Sequence, residues 1–381
     1  MKCIVNGKLI LKDQVVSDMA VVFDEKIVEI TKKENIDKTK YEIIDARGKY
    51  VSPGLIDMHI HGYLGADASD GTSEGVQKMA EGIIKNGVTS WCPTTMTVSI
   101  EELEKAFDSI RALKESNEYY GSRILGVNAE GPFINPDKKG AQPGEHIKKP
   151  DAEFIKKHSD IIKLFTIAPE IEGAMECIED VRKNTDILIS IGHTNATFEE
   201  ALEGFDRGVG HVTHLFNAMT ALSHRNPGVV GAALSRDDIT TEFIADTFHI
   251  DKGLYSLVGK AKKEKLCLIT DCMRAGGMPD GDYTLGGQFL NKTGIKCLLP
   301  NGTIAGSVLT LNKAVYNFFT HSNLKLNEVV NCASLNVAKA LGTDNEIGSI
   351  EVGKRADIMI ADEEFNIDMT ILGGEIRYKG E

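Results

Sequence analysis

In Pro53-Gly54-Leu55-Ile56-Asp57-Met58-His59-Ile60-His61-Gly62, an apolar run leads into two histidines separated by one residue. Residues two apart on a β-strand point to the same face, so His59 and His61 can meet one metal ion. A pair of hydrogen-bonding core histidines is the alternative, and an isolated His-x-His does not decide between the two. The residues that end the other strands decide between these two interpretations.

Further apolar runs recur along the chain, and several end in side chains that bind metals. With the first stretch, the strand patterns cover residues 53–62, 87–94, 124–130, 162–169, 187–193, 209–214, 241–246 and 266–271. Four of the later runs end at Glu130, His193, His214 and Asp271. A carboxylate at the end of an apolar strand is costly to bury unless it faces a positive charge. The pattern therefore predicts a metal site built from several strand ends.

Helical patterns lie between these strands. Ser99 with Glu102, and Thr197 with Glu200, have the spacing of capping boxes, which begin helices. Eight alternating β and α units predict an α/β fold with a (β/α)8 TIM barrel, whose active site lies on the loops at the C-terminal ends of the strands. The candidate ligands occupy those ends, which favours the metal site over the core histidines.

Both termini differ from the middle of the chain. Short alternating runs with turn signals occupy residues 1 to about 50, and similar runs return near the C-terminus. Neither piece holds enough apolar residues to fold alone, so we expect them to pair into one small, discontinuous β-sandwich. The predicted domains are 1–52 for the first part of the sandwich, 53–345 for the barrel and 346–381 for the second part.

Composition excludes several classes of function. The 381 residues are 42% hydrophobic, and 43 Lys+Arg against 56 Asp+Glu give a net charge of −13. An acidic chain without a long basic cluster is not typical of nucleic-acid binding. No apolar run approaches the roughly 20 residues of a membrane span, and the first residues lack a signal-peptide pattern, so we expect no membrane partner and a cytoplasmic location. The seven cysteines form no Cys-x-x-Cys and are interpreted as reduced core thiols.

The chain as a whole resembles a known family. Besides residues 53–62, the motifs that carry the resemblance are Glu130-Gly131-Pro132-Phe133, Gly192-His193-Thr194, His214-Leu215-Phe216-Asn217-Ala218-Met219, Ile269-Thr270-Asp271 and Ala305-Gly306-Ser307. Together with the split small domain, they are similar to the N-acetylglucosamine-6-phosphate deacetylase family of the amidohydrolase superfamily. The resemblance implies a hydrolase of amino-sugar metabolism that converts N-acetyl-D-glucosamine 6-phosphate to D-glucosamine 6-phosphate and acetate.

The candidate ligands fit this chemistry. Amide hydrolysis at neutral pH needs an activated water, and a bound divalent ion supplies it by lowering the pKa of that water toward about 7 while polarising the carbonyl. Glu130, His193 and His214 would hold the ion with one position open for water, and the resemblance assigns the same three residues. Asp271 is the predicted general acid/base. His59 and His61 permit a second ion without requiring it, so we expect one or two ions per subunit, zinc or iron.

The expected partner is a small sugar phosphate, and its contacts are implied by the resemblance. The residues at the sugar or phosphate are Ala141, Gln142, Asn217, Ala218, Arg225, His249, Ile304, Ala305 and Gly306. Some relatives have a histidine at the position of Gln142, where glutamine can donate a hydrogen bond but no proton. Phosphate is gripped partly from the neighbouring subunit in the family, which implies a homodimer or a dimer of dimers.

Two alternative functions stay open. Other amidohydrolases, such as dihydroorotase-like or acylamino-acid hydrolases, often bridge two metals with a carboxylated lysine that ends strand four, whereas Ala168-Pro169-Glu170 offers no lysine. A non-catalytic barrel that serves assembly or regulation would be expected to lack several ligands, and this chain has them all. Among the remaining histidines, we expect His211 to pack in the core and His158 to be solvated on a lysine-rich helix.

Overall fold

The computed structural model describes residues 1–116 and 119–380. Its first strands are short, and they are β1 (Lys2–Val5), β2 (Lys8–Ile10), β3 (Val15–Val16), β4 (Met19–Phe23), β5 (Ile27–Lys32), β6 (Glu42–Asp45) and β7 (Tyr50–Pro53). Asn6 and Arg47 adopt positive φ, 58° and 51°, in the tight connections before β2 and β7. These connections are the turns that the sequence signals predicted.

The middle of the chain alternates strands with helices. The strands are β8 (Leu55–Ile60), β9 (Gly62–Tyr63), β10 (Ala66–Asp67), β11 (Val88–Thr95), β12 (Arg123–Ile124), β13 (Val127–Glu130), β14 (Ile162–Ile167), β15 (Leu188–Ile191), β16 (His211–Val212), β17 (Thr240–Ile244) and β18 (Leu266–Ile269). The helices are α1 (Ser73–Ile83), α2 (Ile100–Glu115), α3 (Ala152–Lys157), α4 (Ala174–Asn184), α5 (Phe198–Arg207), α6 (Gly228–Ser235) and α7 (Tyr255–Lys262). Both predicted capping boxes are confirmed, Ser99 with Glu102 at α2 and Thr197 with Glu200 at α5.

Within the described residues, eight parallel strands close into a barrel. Their order is β8-β11-β13-β14-β15-β16-β17-β18. The ring closes just after β18, where Asp271 N donates to His59 O at 2.9 Å and His61 N donates to Cys272 O at 2.8 Å. These pairings confirm the predicted (β/α)8 barrel. They also bring the C-terminal ends of the strands around one mouth.

A small antiparallel sheet follows the barrel and covers one side of this mouth. It consists of β19 (Gly281–Leu285), β20 (Gln288–Thr293) and β21 (Lys296–Leu298). Gln288 Nε2 donates to the Ala141 carbonyl at 2.6 Å, which fixes the sheet against the loop after β13. The last elements are α8 (Leu311–Ser322), α9 (Leu326–Cys332), α10 (Leu335–Ala340), β22 (Ile358–Ala361), β23 (Ile367–Leu372) and β24 (Glu375–Lys379).

Strands from both termini share one sheet. Val51 of β7 faces Leu9 of β2 in parallel register and Ile360 of β22 in antiparallel register. The full order is β24-β23-β22-β7-β2-β3, and a second sheet has the order β5-β4-β1-β6. An apolar core that includes Val21 and Phe23 joins strands of both sheets. The small discontinuous β region is thus confirmed, and the residue limits of the domains stay a prediction.

Burial explains the apolar texture of the barrel strands. Every residue of β8 and β11 is buried, as expected of parallel strands that are covered on both faces. The seven cysteines are buried free thiols, as predicted. None of the helices in the described ranges is long and apolar enough to cross a membrane.

Candidate metal centre

Six buried side chains with ligand atoms meet at the mouth of the barrel. They form two groups, and the ligand atoms within each group lie within 4.8 Å of one another: Glu130, His193 and His214 in the first, and His59, His61 and Asp271 in the second. None of the six residues is more than 8% exposed. The structure therefore brings together every residue that the sequence predicted as a metal ligand or acid/base.

Glu130 lies between the two groups. Its Oε1 is 3.1 Å from His193 Nε2 and 3.0 Å from His214 Nε2. Its Oε2 is 3.2 Å from His61 Nε2, and Asp271 Oδ1 lies 3.4 Å from that same nitrogen. Because its oxygens lie close to histidines of both groups, Glu130 can contact an ion in either one.

Hydrogen bonds fix the tautomer of three of these histidines. Each of the three Nδ1 atoms meets an acceptor oxygen: Glu242 Oε2 at 2.8 Å from His59, the Lys138 carbonyl at 2.9 Å from His193 and the Thr94 carbonyl at 3.2 Å from His61. A carbonyl or ionised carboxylate only accepts, so Nδ1 of each ring carries a proton. The Nε2 atom of each ring is therefore the nitrogen that can bind a metal ion.

The Nε2 atoms converge in pairs. His59 Nε2 lies 3.2 Å from His61 Nε2, and His193 Nε2 lies 3.1 Å from His214 Nε2. Two lone pairs at such a distance repel each other unless a cation lies between them. The donor set of imidazole nitrogen and carboxylate oxygen is one that zinc and iron accept, so the residues present fit a divalent metal ion.

The electrostatics of the cluster favour positive charge. Burial would raise the pKa of Glu130, but the imidazoles of His193 and His59 outweigh burial and hold that pKa well below its ordinary value. Burial would lower the pKa of His59, but the carboxylates of Glu242 and Glu130 raise it to about 9. Burial also opposes ionisation of Asp271, whose pKa is nevertheless lowered by His61 and His59. The carboxylates are therefore ionised, and positive charge on the neighbouring imidazoles or on a bound metal ion balances their negative charge.

Backbone strain is concentrated at three of these strand ends. His193, His214 and Asp271 have φ values of 48°, 27° and 49°. A non-glycine residue in this region costs on the order of 1–3 kcal/mol and persists where the surrounding structure holds it. The N–H of His214 donates to Glu242 Oε2 at 2.9 Å, which is one such restraint. Strain of this kind accumulates at functional sites, which agrees with a metal centre here.

A cavity of about 370 Å³ opens over the two groups, within the usual range of small-molecule sites. The residues of the centre that line it are His61, Glu130, His193, His214 and Asp271. The predicted substrate contacts that line it are Ala141, Gln142, Asn217, Ala218, His249, Ile304 and Gly306. The metal groups and most of the predicted substrate contacts thus share one cavity.

Two predicted substrate contacts lie elsewhere. Ala305 is fully buried, and its N–H donates to the Cys297 carbonyl at 3.0 Å. Arg225 is exposed in the loop between β16 and α6 and does not line the cavity of its own chain. Ala305 therefore has no free N–H to offer a substrate, and Arg225 lies outside the lining of the cavity of its own chain.

Gln142 is engaged with a predicted metal ligand. Its Nε2 donates a hydrogen bond to Glu130 Oε2, and its Oε1 accepts one from the N–H of Thr97 at 2.7 Å. The side chain is buried. Gln142 therefore orients Glu130, a role that the sequence did not indicate, in addition to lining the cavity.

Lys138 was missed by the sequence analysis. It is the one lysine or arginine among the described residues that line the cavity. Its Nζ donates to the Met219 carbonyl at 3.3 Å, so the amine lies next to Asn217 and Ala218, where phosphate is predicted. The available signal was a pair of lysines in the loop that follows Glu130.

Glu242 was missed as well, and it contacts the core residue His211. Both are fully buried, with His211 Nδ1 2.5 Å from Thr240 Oγ1 and His211 Nε2 3.3 Å from Glu242 Oε1. The prediction that His211 packs in the core is confirmed by its burial, and its ring also contacts a carboxylate that reaches two candidate ligands. The signal for Glu242 was a carboxylate inside the apolar strand β17, the same argument that singled out Glu130.

Comparison with known proteins agrees with this geometry. The sequence pattern of the amidohydrolase family matches residues 50–377. The chain is 38% identical over 361 residues to an N-acetylglucosamine-6-phosphate deacetylase of Lysinibacillus sphaericus, which covers 93% of this chain and 92% of that protein. It is 33% identical over 345 residues to an N-acetylgalactosamine-6-phosphate deacetylase of Escherichia coli O157:H7, with 90% and 91% covered. A crystal structure of N-acetylglucosamine-6-phosphate deacetylase from Pasteurella multocida matches 100% of both chains with a TM-score of 0.93 at 31% identity.

Proposed function

The chain belongs to the amidohydrolase family, and on that premise we propose that it hydrolyses the acetamide of N-acetyl-D-glucosamine 6-phosphate to D-glucosamine 6-phosphate and acetate. The observation that carries the proposal is the convergence of Glu130, His193 and His214 beside Asp271 at the floor of one cavity. The choice of substrate is inferred from the deacetylases that the chain resembles over most of its length.

The proposed hydrolysis divides among a few side chains. Glu130, His193 and His214 would hold the main ion, which when bound acidifies water and polarises the acetamide carbonyl. Asp271 accepts the proton of the attacking water and then delivers it to the amide nitrogen, so that glucosamine leaves as an amine. Gln142 keeps Glu130 in place through its hydrogen bond.

Asp271 is held firmly enough for proton transfer. Its N–H donates to the His59 carbonyl at 2.9 Å, and its carbonyl accepts from the N–H of Ser307 at 2.8 Å. The side chain lines the cavity and lies within reach of His61. A carboxylate that lines the cavity beside the first ligand group is where an acid/base for a bound substrate would have to be, which supports the role of Asp271.

We expect zinc or iron at the first group and one or two ions per subunit. Two neutral imidazoles and one carboxylate suit both metals. The second group, His59, His61 and Asp271, offers a further position. A cytoplasmic location is part of the proposal, because the buried cysteines are free thiols, as is typical of a reducing compartment.

The phosphate group needs a positively charged partner. In this acidic chain, that charge must come from individual basic side chains at the site. Lys138 and His249 line the cavity, and His249 Nδ1 lies 2.6 Å from Asp246 Oδ2, which orients its ring. Charge-assisted hydrogen bonds from these side chains would hold the phosphate. Arg225, exposed on its own chain, would complete the site of a partner subunit, so the proposed active unit is a homodimer or a dimer of dimers.

Acetate release tests the proposed reaction. Metal-replete protein is incubated with N-acetylglucosamine 6-phosphate, N-acetylgalactosamine 6-phosphate and unphosphorylated N-acetylglucosamine, and acetate is measured over time. We expect the first compound to give the highest kcat/KM, with chelator-treated protein as the inactive control. A higher kcat/KM for the galactosamine compound would transfer the assignment to that sugar, and no release from any of the three would refute it.

Hybrid dimers test the shared phosphate site. Asp271→Asn chains and Arg225→Ala chains are mixed and refolded together, so that some sites combine an intact Asp271 with the partner's intact Arg225. We expect activity above that of either variant alone. No recovery, with hybrids verified by differential tagging, would mean that Arg225 does not act across the subunit boundary.

A further inference from the structure

One carboxylate oxygen of Glu242 forms hydrogen bonds with both ligand groups. Glu242 Oε2 accepts the ring N–H of His59 at 2.8 Å and the backbone N–H of His214 at 2.9 Å. His59 is in the second group and His214 is in the first, so this single atom contacts both. The two strands that carry these candidate ligands could form without this carboxylate, so strand formation does not explain its presence.

Burial of Glu242 is costly for the fold. The residue is fully buried in the middle of β17, between Thr241 and Phe243. An ionised carboxylate taken out of water destabilises the folded state unless every lone pair is matched. Here Oε1 has no hydrogen-bond partner, and His211 Nε2 lies 3.3 Å from it. An apolar side chain would pack here at lower cost, so Glu242 has a function other than stabilising the barrel.

The proton inventory around Glu242 leaves one arrangement. The Thr240 hydroxyl donates to the Gly210 carbonyl at 2.9 Å, so it accepts the Nδ1 proton of His211. Glu242 Oε2 accepts two N–H groups, so that oxygen carries no proton. The proton between Glu242 and His59 is therefore on Nδ1 of the histidine, and His59 Nε2 faces His61 Nε2 at 3.2 Å.

We propose that Glu242 is a positioning residue that aligns the two metal-ligand groups, by fixing the ring and tautomer of His59 and the backbone of His214 with one oxygen. The inference rests on the proposed metal centre. Hydrogen bonds of this kind behind a ligand change metal affinity by about 10–100-fold. Because Glu242 holds a ring nitrogen in one group and only a backbone N–H in the other, its loss weakens the His59 group more than the Glu130 group.

Two variants of matched size separate the hydrogen bonds from the charge. Glu242→Gln keeps an oxygen that can accept from both His59 and His214, whereas Glu242→Leu fills the same volume without an acceptor. Each apoprotein, checked for folding by circular dichroism, is titrated with Co²⁺, and both the absorption spectrum and the number of bound ions are recorded. Wild type and His59→Asn serve as references for binding with and without the second group.

The proposal requires wild type to bind two ions, and Glu242→Leu should bind the second one about 10–100-fold more weakly. Glu242→Gln is expected to recover most of that affinity and a spectrum close to wild type. Unchanged affinities in both variants would overturn the proposal, and so would equal losses in both, because charge alone would then explain them. A wild type that binds no ion would instead refute the proposed function itself, and one that binds a single ion would remove the second group on which the positioning role depends.

A measurement on the unaltered protein covers the case in which Glu242→Leu does not fold. Long-range ¹H–¹⁵N spectra of apoprotein with labelled histidine report the tautomer of each ring, with His59→Asn used for assignment. We expect His59 to carry its proton on Nδ1 with the shift of a strong hydrogen bond. A His59 ring whose Nδ1 carries no proton would overturn the proposal, because Glu242 would then accept no hydrogen bond from it.

Discussion

The mouth of the barrel and the terminal sheets are both rich in buried β-structure, but they bury opposite kinds of residue. In the terminal sheets the core is apolar, with side chains such as Phe23 and Ile360. At the mouth, Glu130, His193 and Asp271 are buried instead. Both regions contain non-glycine residues with positive φ, but Asn6 and Arg47, which precede β2 and β7, are in exposed turns, whereas His193, His214 and Asp271 at the mouth are buried.

This difference indicates that the mouth of the barrel carries residues that destabilise the fold but serve a function. Local preference, burial and polarity agree in the terminal sheets, as they do in regions that serve only the fold. They conflict at the mouth, where buried charges and strained backbone each carry a cost. The comparison predicts that substitutions at the mouth affect turnover far more than stability, and that substitutions in the terminal sheets do the reverse.

The largest effect is expected from a ligand of the first group. His193→Asn should lose the main ion and, with it, several kcal/mol of transition-state stabilisation, at least about three orders of magnitude in turnover. Metal content by plasma mass spectrometry and acetate release are measured on the same sample. His321→Asn, on α8 away from the cavity, is the control. If metal and turnover both survive in His193→Asn, the ligand set is wrong.

The next effect is that of the acid/base. Asp271→Asn should lower kcat by about 100-fold or more, the usual size of a general acid/base contribution, while the first group keeps its ion. Steady-state kinetics and metal content give the two numbers, and circular dichroism checks the fold. Near-normal turnover in a metal-replete sample would remove Asp271 from the mechanism.

A smaller and more selective effect is expected from Lys138. Lys138→Met keeps most of the apolar stem and removes the charge, and a charge-assisted contact is worth about 1.5–3 kcal/mol, roughly 10–150-fold in KM for the phosphorylated sugar. The KM for unphosphorylated N-acetylglucosamine should change little. Lys139→Met is the neighbouring control, because Lys139 donates to the Gln142 carbonyl and does not line the cavity. Equal changes for both sugars would argue against a phosphate contact.

The smallest effect on turnover is expected from the terminal sheets. Ile360→Ala should lower the free energy of unfolding by about 2–5 kcal/mol, because it leaves a cavity in the apolar core, yet leave kcat unchanged below the unfolding transition. Ile376→Ala, exposed on β24, is the matched control with little expected change. Denaturant unfolding and steady-state kinetics test both variants. A large loss of kcat in folded Ile360→Ala would break the contrast between the two regions.

Prediction from sequence succeeded where the apolar pattern continued through an element. It failed for residues near the end of an element. One strand was predicted over residues 209–214, but β16 ends at Val212 and His214 lies beyond it with φ of 27°. His158 was expected in solvent, yet it lies just after α3 with its ring 5.2 Å from that of Phe107 and 5.1 Å from that of Phe154. In both cases the end of an element, which periodicity does not fix, decided the environment.

The sequence by itself determined the barrel, the pairing of the two termini and the residues that end the strands. These depend on local patterns: apolar alternation sets the strands, capping residues begin the helices, and parallel strands must end on one side. The roles of Glu130, His193, His214, His59, His61 and Asp271 as candidates followed from their positions at those ends.

Only the tertiary structure decided which of these side chains touch and what holds them. Glu242 and Lys138 come from segments more than 100 residues apart, and nothing local marks them as neighbours of His59 or of the predicted phosphate contacts. The engagement of Gln142 with Glu130 and the exposure of Arg225 likewise depend on how loops from different strands fold over one mouth. Distances between such loops are set by the closure of the whole barrel, and no short stretch of sequence contains them.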